Sequence, residues 1–177
     1  MIARKSIIAI CGSTRVHSSN LTLLQAIGSL MKDTIELKIF TGIAALPHFN
    51  PDLEQPIPPE SITQFRALLR SADAILICTP EYAMGVPGTL KNAIDWTVSS
   101  CEFSKKPTAL ITASSLGHKG HQSLMETLRV IEADITDETN LVISYIKTKV
   151  SSTGEITDPE TKERVLRVMN ALIALPH

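Results

Sequence analysis

Residues 7–20 read IIAICGSTRVHSSN, a wholly apolar run followed by a loop rich in hydroxyl groups. A run that is apolar at consecutive positions, here residues 7–11, is typical of a strand buried on both faces of a parallel sheet. After the loop, Leu21, Leu24 and Ile27 recur at the spacing of an amphipathic helix. A buried strand, a polar loop and a helix in this order predict the first unit of an α/β fold.

The same alternation of strands and helices continues along the chain. Residues 74–78 and 107–113 predict two further buried strands, residues 34–40 alternate like an edge strand, and residues 141–146 predict a fifth. Five segments with helical periodicity lie between and after these strands. We therefore predict a doubly wound α/β sandwich of three layers, with a five-stranded parallel sheet in the order 2-1-3-4-5.

Three local patterns complete this prediction. The apolar positions from Leu90 to Val98 mark the third helix. A capping box from Thr157 to Glu160 is expected to open the last helix. Half of the prolines fall between Pro47 and Pro59, which predicts one long, stiff loop after the second strand.

Length and composition exclude several classes of protein. The 177 residues suit a single domain spanning residues 1–177. A net charge of −1, from 17 basic and 18 acidic side chains, argues against a nucleic-acid binder, which needs surplus cations. No apolar run exceeds five residues, so neither a membrane-spanning helix nor a signal peptide is expected. The three cysteines form no CxxC motif, which favours a cytoplasmic protein without disulfides or a metal site.

The first polar loop is a candidate phosphate site. In an open parallel sheet, ligands bind beyond the carboxyl ends of the strands, where this loop should lie. It combines hydroxyl groups with Arg15 and Asn20 and opens a helix, whose N-terminus offers free N–H groups to an anion. The loop matches neither GxGxxG nor a Walker sequence, so a terminal phosphate monoester is favoured. A serine-rich turn that merely caps the helix is the alternative.

A second informative stretch, TPEYAMGVPGTLKNAIDW, occupies residues 79–96. Pro80 ends the strand before it, and Pro87 suits the start of the following helix. Tyr82 is then expected at the mouth of the site. Lys91 and Asp95 form an i, i+4 pair on that helix. A plain turn and an amphipathic helix would account for the apolar positions, but not for the whole string.

Together the two stretches resemble the NADPH-dependent FMN reductase family. The resemblance rests on GSxRxxSxN after the first strand, on PEY followed by PGxLKNAIDW, and on LPHFNPDL at residues 46–53. It covers roughly residues 5–130. It implies a flavodoxin-like fold and a relationship to FMN, quinone, azo and chromate reductases. Two positions depart from the family pattern: Ala83 stands where many relatives have Asn, and residues 114–120 read SSLGHKG where relatives are rich in glycine.

The resemblance also implies the cofactor-binding residues. The FMN phosphate is expected on the first loop, and the ribityl chain and isoalloxazine ring on the two later loops. The implied set is Ser13, Arg15, Ser18, Ser19, Asn20, Pro80, Glu81, Tyr82, Ala83, Met84, Ser114, Ser115 and Gly117. No side-chain nucleophile and no metal ligand is expected, because the flavin performs the chemistry. The resemblance further implies a homodimer or a homotetramer.

The implied reaction transfers a hydride from NADPH or NADH to flavin N5, and then electrons to FMN, a quinone, an azo compound or a similar small acceptor. The chain is too short for a second nucleotide-binding domain, so both substrates should use one space in turn, which predicts ping-pong kinetics. Aromatic residues make up only 4% of the chain, and Tyr82 and Phe49 are the aromatic candidates near the site. An open flavin face would let a nicotinamide stack on it.

The same residues allow other assignments. A flavodoxin-like electron carrier or a non-catalytic flavin-binding module is the alternative function, although −1 is a weak charge for steering partners. His118 and His121 lack an evident third ligand for a metal. Cys11 and Cys78 are expected to be small core residues. Lys119 is a further candidate for stabilising negative charge on the flavin, or is simply solvated.

Overall fold

The computed structural model describes residues 4–54, 56–151 and 153–176. Its centre is one sheet of five parallel strands in the order β2-β1-β3-β4-β5, which confirms the predicted order. This is the flavodoxin-like arrangement of a doubly wound sheet. The strands are β1 (Lys5–Cys11), β2 (Ile35–Phe40), β3 (Ala74–Thr79), β4 (Thr108–Ser114) and β5 (Asn140–Ser144).

Helices cover both faces of the sheet. They are α1 (Ser19–Leu30), α2 (Glu60–Ser71), α3 (Gly88–Asp95), α4 (His118–Val130) and α5 (Pro159–Ala174). Alternate residues of β1 enter different cores: Ile7 packs in the core with α1 and α5, and Ile8 in the core with α2, α3 and α4. Every residue of β3 is buried, as its unbroken apolar sequence predicted.

Among the described residues, no helix combines the length and the apolar character that crossing a lipid bilayer requires.

Two helix boundaries differ from the prediction. Helix α3 ends at Asp95, and Val98 lies beyond it with 51% of its surface exposed. At this end of the helix, Arg66 Nε donates to the carbonyl oxygen of Trp96 at 2.7 Å and satisfies a carbonyl that the helix leaves without an N–H partner. The predicted capping box at Thr157 is also wrong. Asp158 is the N-cap of α5 and accepts a hydrogen bond from the N–H of Thr161 at 2.9 Å.

The proline-rich loop after β2 is held in place by α3. The carbonyl oxygen of Pro47 accepts hydrogen bonds from Asn92 Nδ2 at 3.0 Å and from Trp96 Nε1 at 2.8 Å. Asn92 Oδ1 accepts from the N–H of Phe49 at 2.7 Å. Trp96 is completely buried. Asn92 and Trp96 of the LKNAIDW string therefore hold this loop against α3.

Candidate active-site cleft

A cleft of about 380 Å³ lies at the carboxyl ends of β1, β3, β4 and β5. This is the edge of the sheet at which doubly wound folds bind ligands, beside the point where strand order reverses around β1. It is lined by residues at and beyond the ends of these four strands, which lie side by side in the sheet. The lining residues are Ser13, Arg15, His17, Ser18, Ser19, Asn20, Pro80, Glu81, Tyr82, Ala113, Ser114, Ser115, Tyr145, Ile146, Lys147 and Thr148.

The first turn of α1 faces this cleft with unused hydrogen-bond donors. Ser18 is the N-cap, and its hydroxyl oxygen accepts from the N–H of Leu21 at 3.3 Å. The N–H groups of Ser19 and Asn20 have no acceptor in the described part of the chain. The first turn contains no acidic side chain. Since free N–H groups and the positive end of the helix dipole are uncompensated here, the turn favours a bound anion.

Arg15 adds a full positive charge to the same end of the cleft. Its side chain is exposed, and its guanidinium finds no acceptor among the residues that the structure describes. Ser13 lies beside it and is only 7% exposed. A guanidinium, two buried serine hydroxyls and free backbone N–H groups form the set of donors that suits a phosphate monoester.

Gly12 allows the loop to leave β1 close to β3. Its N–H donates to the carbonyl oxygen of Cys78 at 2.8 Å. A Cβ atom at position 12 would lie 2.5 Å from Thr79 Oγ1, so this approach requires glycine.

Asn20 lines the cleft but uses its side chain within the protein. Asn20 Nδ2 donates to the carbonyl oxygen of Ala113 at 3.1 Å, and Oδ1 accepts from Cys78 Sγ at 3.3 Å. Asn20 is 4% exposed. Its side chain therefore ties α1 to the ends of β3 and β4, and its free N–H group is what it offers a ligand.

Two cysteines form the floor beneath this loop. Cys11 and Cys78 are paired in register on neighbouring strands, and both are completely buried, which confirms their predicted place in the core. Burial raises the pKa of the Cys11 thiol and raises the pKa of the Cys78 thiol well above its usual value. Both are therefore neutral thiols that contribute packing rather than charge.

The loop after β3 forms a tight turn at the edge of the cleft. Tyr82 and Gly85 exchange backbone hydrogen bonds, both at 2.9 Å. Between them, Ala83 and Met84 adopt positive φ angles of 49° and 62°. Tyr82 lines the cleft, whereas Ala83 and Met84 do not. The turn thus presents its tyrosine at the cleft and its apex to the outside.

Glu81 anchors this turn to α4. Its Oε2 accepts a hydrogen bond from the N–H of Gly120 at 2.6 Å, in the first turn of the helix. The N-cap of α4 is Gly117, which has φ of 101° and no side chain with which to cap. The carboxylate of Glu81 replaces the missing cap, and its charge is also favourable at a helix N-terminus.

The loop after β4 supplies Ser114 and Ser115 to the cleft, whereas Gly117 does not line it. Behind this loop, His121 is 9% exposed and contacts two side chains. Its Nδ1 lies 2.9 Å from Thr112 Oγ1, and its Nε2 lies 3.1 Å from Asn140 Oδ1. Burial lowers the pKa of His121, so the neutral ring is favoured.

The fourth wall was not predicted from the sequence. It consists of residues 145–148, which follow β5 and are called the β5 loop here. Tyr145, Lys147 and Thr148 are exposed, and Ile146 is buried. The signal that could have found them is topological: in a parallel sheet, the end of β5 lies at the same edge as the ends of β1, β3 and β4.

Most of the predicted site residues come together in this cleft. Ala83, Met84 and Gly117 are the predicted residues that do not line it, and Lys119 does not line it either. Phe49, expected near the site, packs edge-on against Trp96 with ring centroids 5.1 Å apart and does not line the cleft. Tyr145, rather than Phe49, lines the cleft together with Tyr82.

Comparison with known proteins agrees with this arrangement. Residues 6–145 match the sequence profile of the NADPH-dependent FMN reductases. The chain is 31% identical over 172 residues to an NAD(P)H-dependent FMN reductase of Pseudomonas aeruginosa, covering 94% of this chain and 92% of that protein. It is 32% identical over 179 residues to an NAD(P)H:quinone oxidoreductase of Solanum tuberosum, covering 96% and 91% of the two chains.

A solved structure is similar over almost the whole fold. The flavoenzyme NAD(P)H:(acceptor) oxidoreductase FerB of Paracoccus denitrificans superposes with a TM-score of 0.85 at 27% sequence identity. The match covers 96% of this chain and 95% of FerB.

Proposed function

The chain belongs to the NADPH-dependent FMN reductase family, and we propose that it is an FMN-dependent NAD(P)H oxidoreductase that reduces a small acceptor such as FMN, a quinone or an azo compound. The relatives named above act on FMN and on quinones, which supports this activity over that of a carrier or a non-catalytic module. The observation that carries the proposal is the donor set at the start of α1, which matches a terminal phosphate.

The cleft fits FMN in charge and in extent. The phosphate would be held over β1 by Arg15, by the hydroxyls of Ser13 and Ser18, and by the N–H groups of Ser19 and Asn20. The cleft continues from β1 to β5, across three strand spacings or about 14 Å. An elongated ligand with its phosphate at one end and its ring towards β4 suits this shape. When bound, FMN supplies the redox chemistry by accepting a hydride and passing electrons on.

In this proposal the protein's own residues bind FMN and orient it. Pro80, Ser114 and Ser115 line the cleft at the ends of β3 and β4 and would contact the part of FMN beyond its phosphate. Glu81 keeps the turn that carries Tyr82 in place through its hydrogen bond to Gly120. No side chain is assigned a covalent role. Ala83, Met84 and Gly117 do not line the cleft, and their positive φ angles shape the loops that carry the lining residues.

The two substrates would use the cleft in turn. All of its lining residues belong to one continuous opening, so reductant and acceptor compete for the same space. This supports ping-pong kinetics, with parallel lines in double-reciprocal plots; intersecting lines would contradict it. We further propose a single domain over residues 1–177, a cytoplasmic protein without nucleic-acid or membrane partners, and a homodimer or homotetramer.

The first experiment is the visible spectrum of freshly purified protein, before and after adding FMN and desalting. Retained flavin bands would support FMN as a bound cofactor. NADPH and NADH oxidation is then followed with FMN, a benzoquinone and an azo dye. Consumption of nicotinamide that depends on the acceptor is the expected result. Absence of turnover with every acceptor would overturn the proposed activity.

A further inference from the structure

Tyr145 has an unusual backbone for its residue type. Its φ and ψ are 56° and 38°, in the left-handed region that bulky side chains rarely adopt. Five other non-glycine residues among those described share a positive φ, but Tyr145 is the aromatic one. Such a conformation costs free energy and persists only where the surrounding structure imposes it.

Several hydrogen bonds hold Tyr145 in this conformation. The N–H of Tyr145 donates to the carbonyl oxygen of Ser115 at 3.1 Å, which joins the loop to the neighbouring wall of the cleft. The carbonyl oxygen of Tyr145 accepts from both the N–H and the hydroxyl of Thr148, each at 2.9 Å. Ile146 beside it is 4% exposed and anchors the loop in the core.

Tyr145 is mostly exposed to solvent, so burial offsets little of the cost of its backbone conformation. Tyr145 is 62% exposed, and its hydroxyl has no hydrogen-bond partner in the described ranges of the chain. A tyrosine held in a costly conformation, with little packing and no hydrogen bond from its hydroxyl, is better explained by a ligand than by stability. The chain has two tyrosines, and both line the cleft: Tyr82 comes from the β3 side and Tyr145 from the β5 side.

We propose that Tyr145 is a specificity-determining residue whose ring packs against a planar conjugated ring bound in the cleft. This inference rests on the proposed function, which supplies two candidate rings, the isoalloxazine of FMN and the ring of a quinone acceptor. Aromatic faces favour such contacts in offset or edge-on geometry. The sheet order supports the placement, because Tyr145 stands beyond β4, on the far side of the cleft from the phosphate loop at β1.

The test compares Tyr145→Phe and Tyr145→Asn with the wild type. Phenylalanine keeps the ring, whereas asparagine removes it and tolerates the left-handed backbone well. Lys105→Asn is the matched control, since Lys105 has the same φ of 56°, is exposed and lies outside the cleft. Two measurements are made on each protein without substrate: the melting temperature, and the dissociation constant of FMN from FMN-free protein. KM is then measured for a benzoquinone and for hexacyanoferrate(III), an oxidant without a ring.

Tyr145→Asn is expected to melt no lower than the wild type, as is Lys105→Asn. It is expected to weaken FMN binding or to raise KM for the quinone by roughly 3- to 10-fold, with KM for hexacyanoferrate(III) unchanged. A change in the FMN dissociation constant identifies the flavin as the partner ring; a change in the quinone KM alone identifies the acceptor. Tyr145→Phe is expected to match the wild type.

Three results would overturn the inference. One is a Tyr145→Asn protein whose FMN and quinone constants equal those of the wild type. Another is a Lys105→Asn protein with the same losses. The third is a fall in melting temperature accompanied by equal losses with both oxidants, which indicates a structural role. If the wild type itself neither retains FMN nor oxidises NAD(P)H, the proposed function fails first, and this inference fails with it.

Discussion

The carboxylate of Glu81 and the N–H of Gly120 are joined by a hydrogen bond of 2.6 Å that links the loop after β3 to the first turn of α4. Gly120 also brings the two backbones together, because a Cβ atom there would lie 2.7 Å from the carbonyl oxygen of Gly85. The turn that carries Tyr82 is thus fixed by one charged cap and one glycine.

Gly120→Ala is predicted to displace that turn. The added methyl group meets backbone rather than a flexible side chain, so relief requires the turn or the helix to move. We expect a loss of about 1–3 kcal/mol in the free energy of unfolding and a weaker affinity for FMN. Urea denaturation and titration of FMN fluorescence measure the two effects.

Gly28→Ala is the matched control for this substitution. Its Cβ would lie 3.4 Å from Leu37 Cδ2, an ordinary contact, and alanine favours the interior of α1. A gain of up to about 1 kcal/mol with unchanged FMN affinity is expected. Equal losses in both variants would contradict the role assigned to the contact between Gly120 and the turn.

Arg15→Gln is predicted to weaken FMN binding through the phosphate alone. A charge-assisted hydrogen bond contributes about 1.5–3 kcal/mol, which corresponds to roughly 10- to 150-fold in affinity. Riboflavin lacks the phosphate, so its affinity should change little. The variant is therefore titrated with both flavins, at low and at high salt, and the FMN difference should shrink as salt rises.

Arg129→Gln provides the control, since Arg129 is exposed and lies 3.9 Å from its acidic neighbour Asp137, outside the cleft. It should bind both flavins as the wild type does. If Arg15→Gln weakens riboflavin as much as FMN, the guanidinium does not hold the phosphate.

The sheet was predictable because its central strands are buried on both faces. A short, unbroken apolar run is typical of a strand in the interior of a parallel sheet. Because strand–helix–strand connections are right-handed, few strand orders then remain. Helix ends were less predictable. At the end of α3, the carbonyl oxygen of Trp96 accepts a hydrogen bond from Arg66 of α2, which lies 30 positions earlier in the chain.

The cleft was predictable in part for the same reason. The loops after β1, β3 and β4 follow recognisable strands, so their residues could be placed at one edge. Asn20 shows where sequence reasoning stops: its side-chain partners lie 93 and 58 positions away, at Ala113 and Cys78. Tyr145 carries no local signal either, because its conformation is imposed by contacts with Ser115 and Thr148.

The thiols are predicted to differ sharply in reactivity. Of the three cysteines, Cys101 is exposed, whereas Cys11 and Cys78 are buried and burial raises the pKa of both. Because the thiolate is the reactive form, one thiol per chain should react rapidly with a disulfide reagent in native protein, and three after denaturation. Cys101→Ser should abolish the rapid phase. A rapid phase that survives in that variant would show that the core around Cys11 and Cys78 opens in the native state.

His121 is predicted to make the protein sensitive to mild acid. Asn140 Nδ2 donates to the carbonyl oxygens of Thr136 and Asp137, so its Oδ1 faces His121 and accepts from Nε2–H. The neutral ring then accepts from Thr112 through Nδ1. Burial lowers the pKa of His121 in the folded protein; the hydrogen bond to Asn140 opposes this shift in part, and the nearby His118 adds to it.

The sign of the effect follows from linkage. As the pH falls, His121 in the unfolded state binds a proton near pH 6.5, and in the folded state only at a lower pH. The contribution of the neutral ring to the free energy of unfolding is therefore complete above pH 6.5. It is lost as the pH falls from there towards the lower folded pKa. The free energy of unfolding, measured by urea denaturation between pH 7.5 and pH 5, should therefore decrease for the wild type and decrease less for His121→Gln.

His48→Gln is the control for this comparison, because His48 is an exposed histidine on the loop after β2. It should retain the full decrease of the wild type, since the substitution leaves His121 and its two side-chain partners in place. A His121→Gln profile that is parallel to the wild-type profile throughout this range would show that another group carries the acid sensitivity.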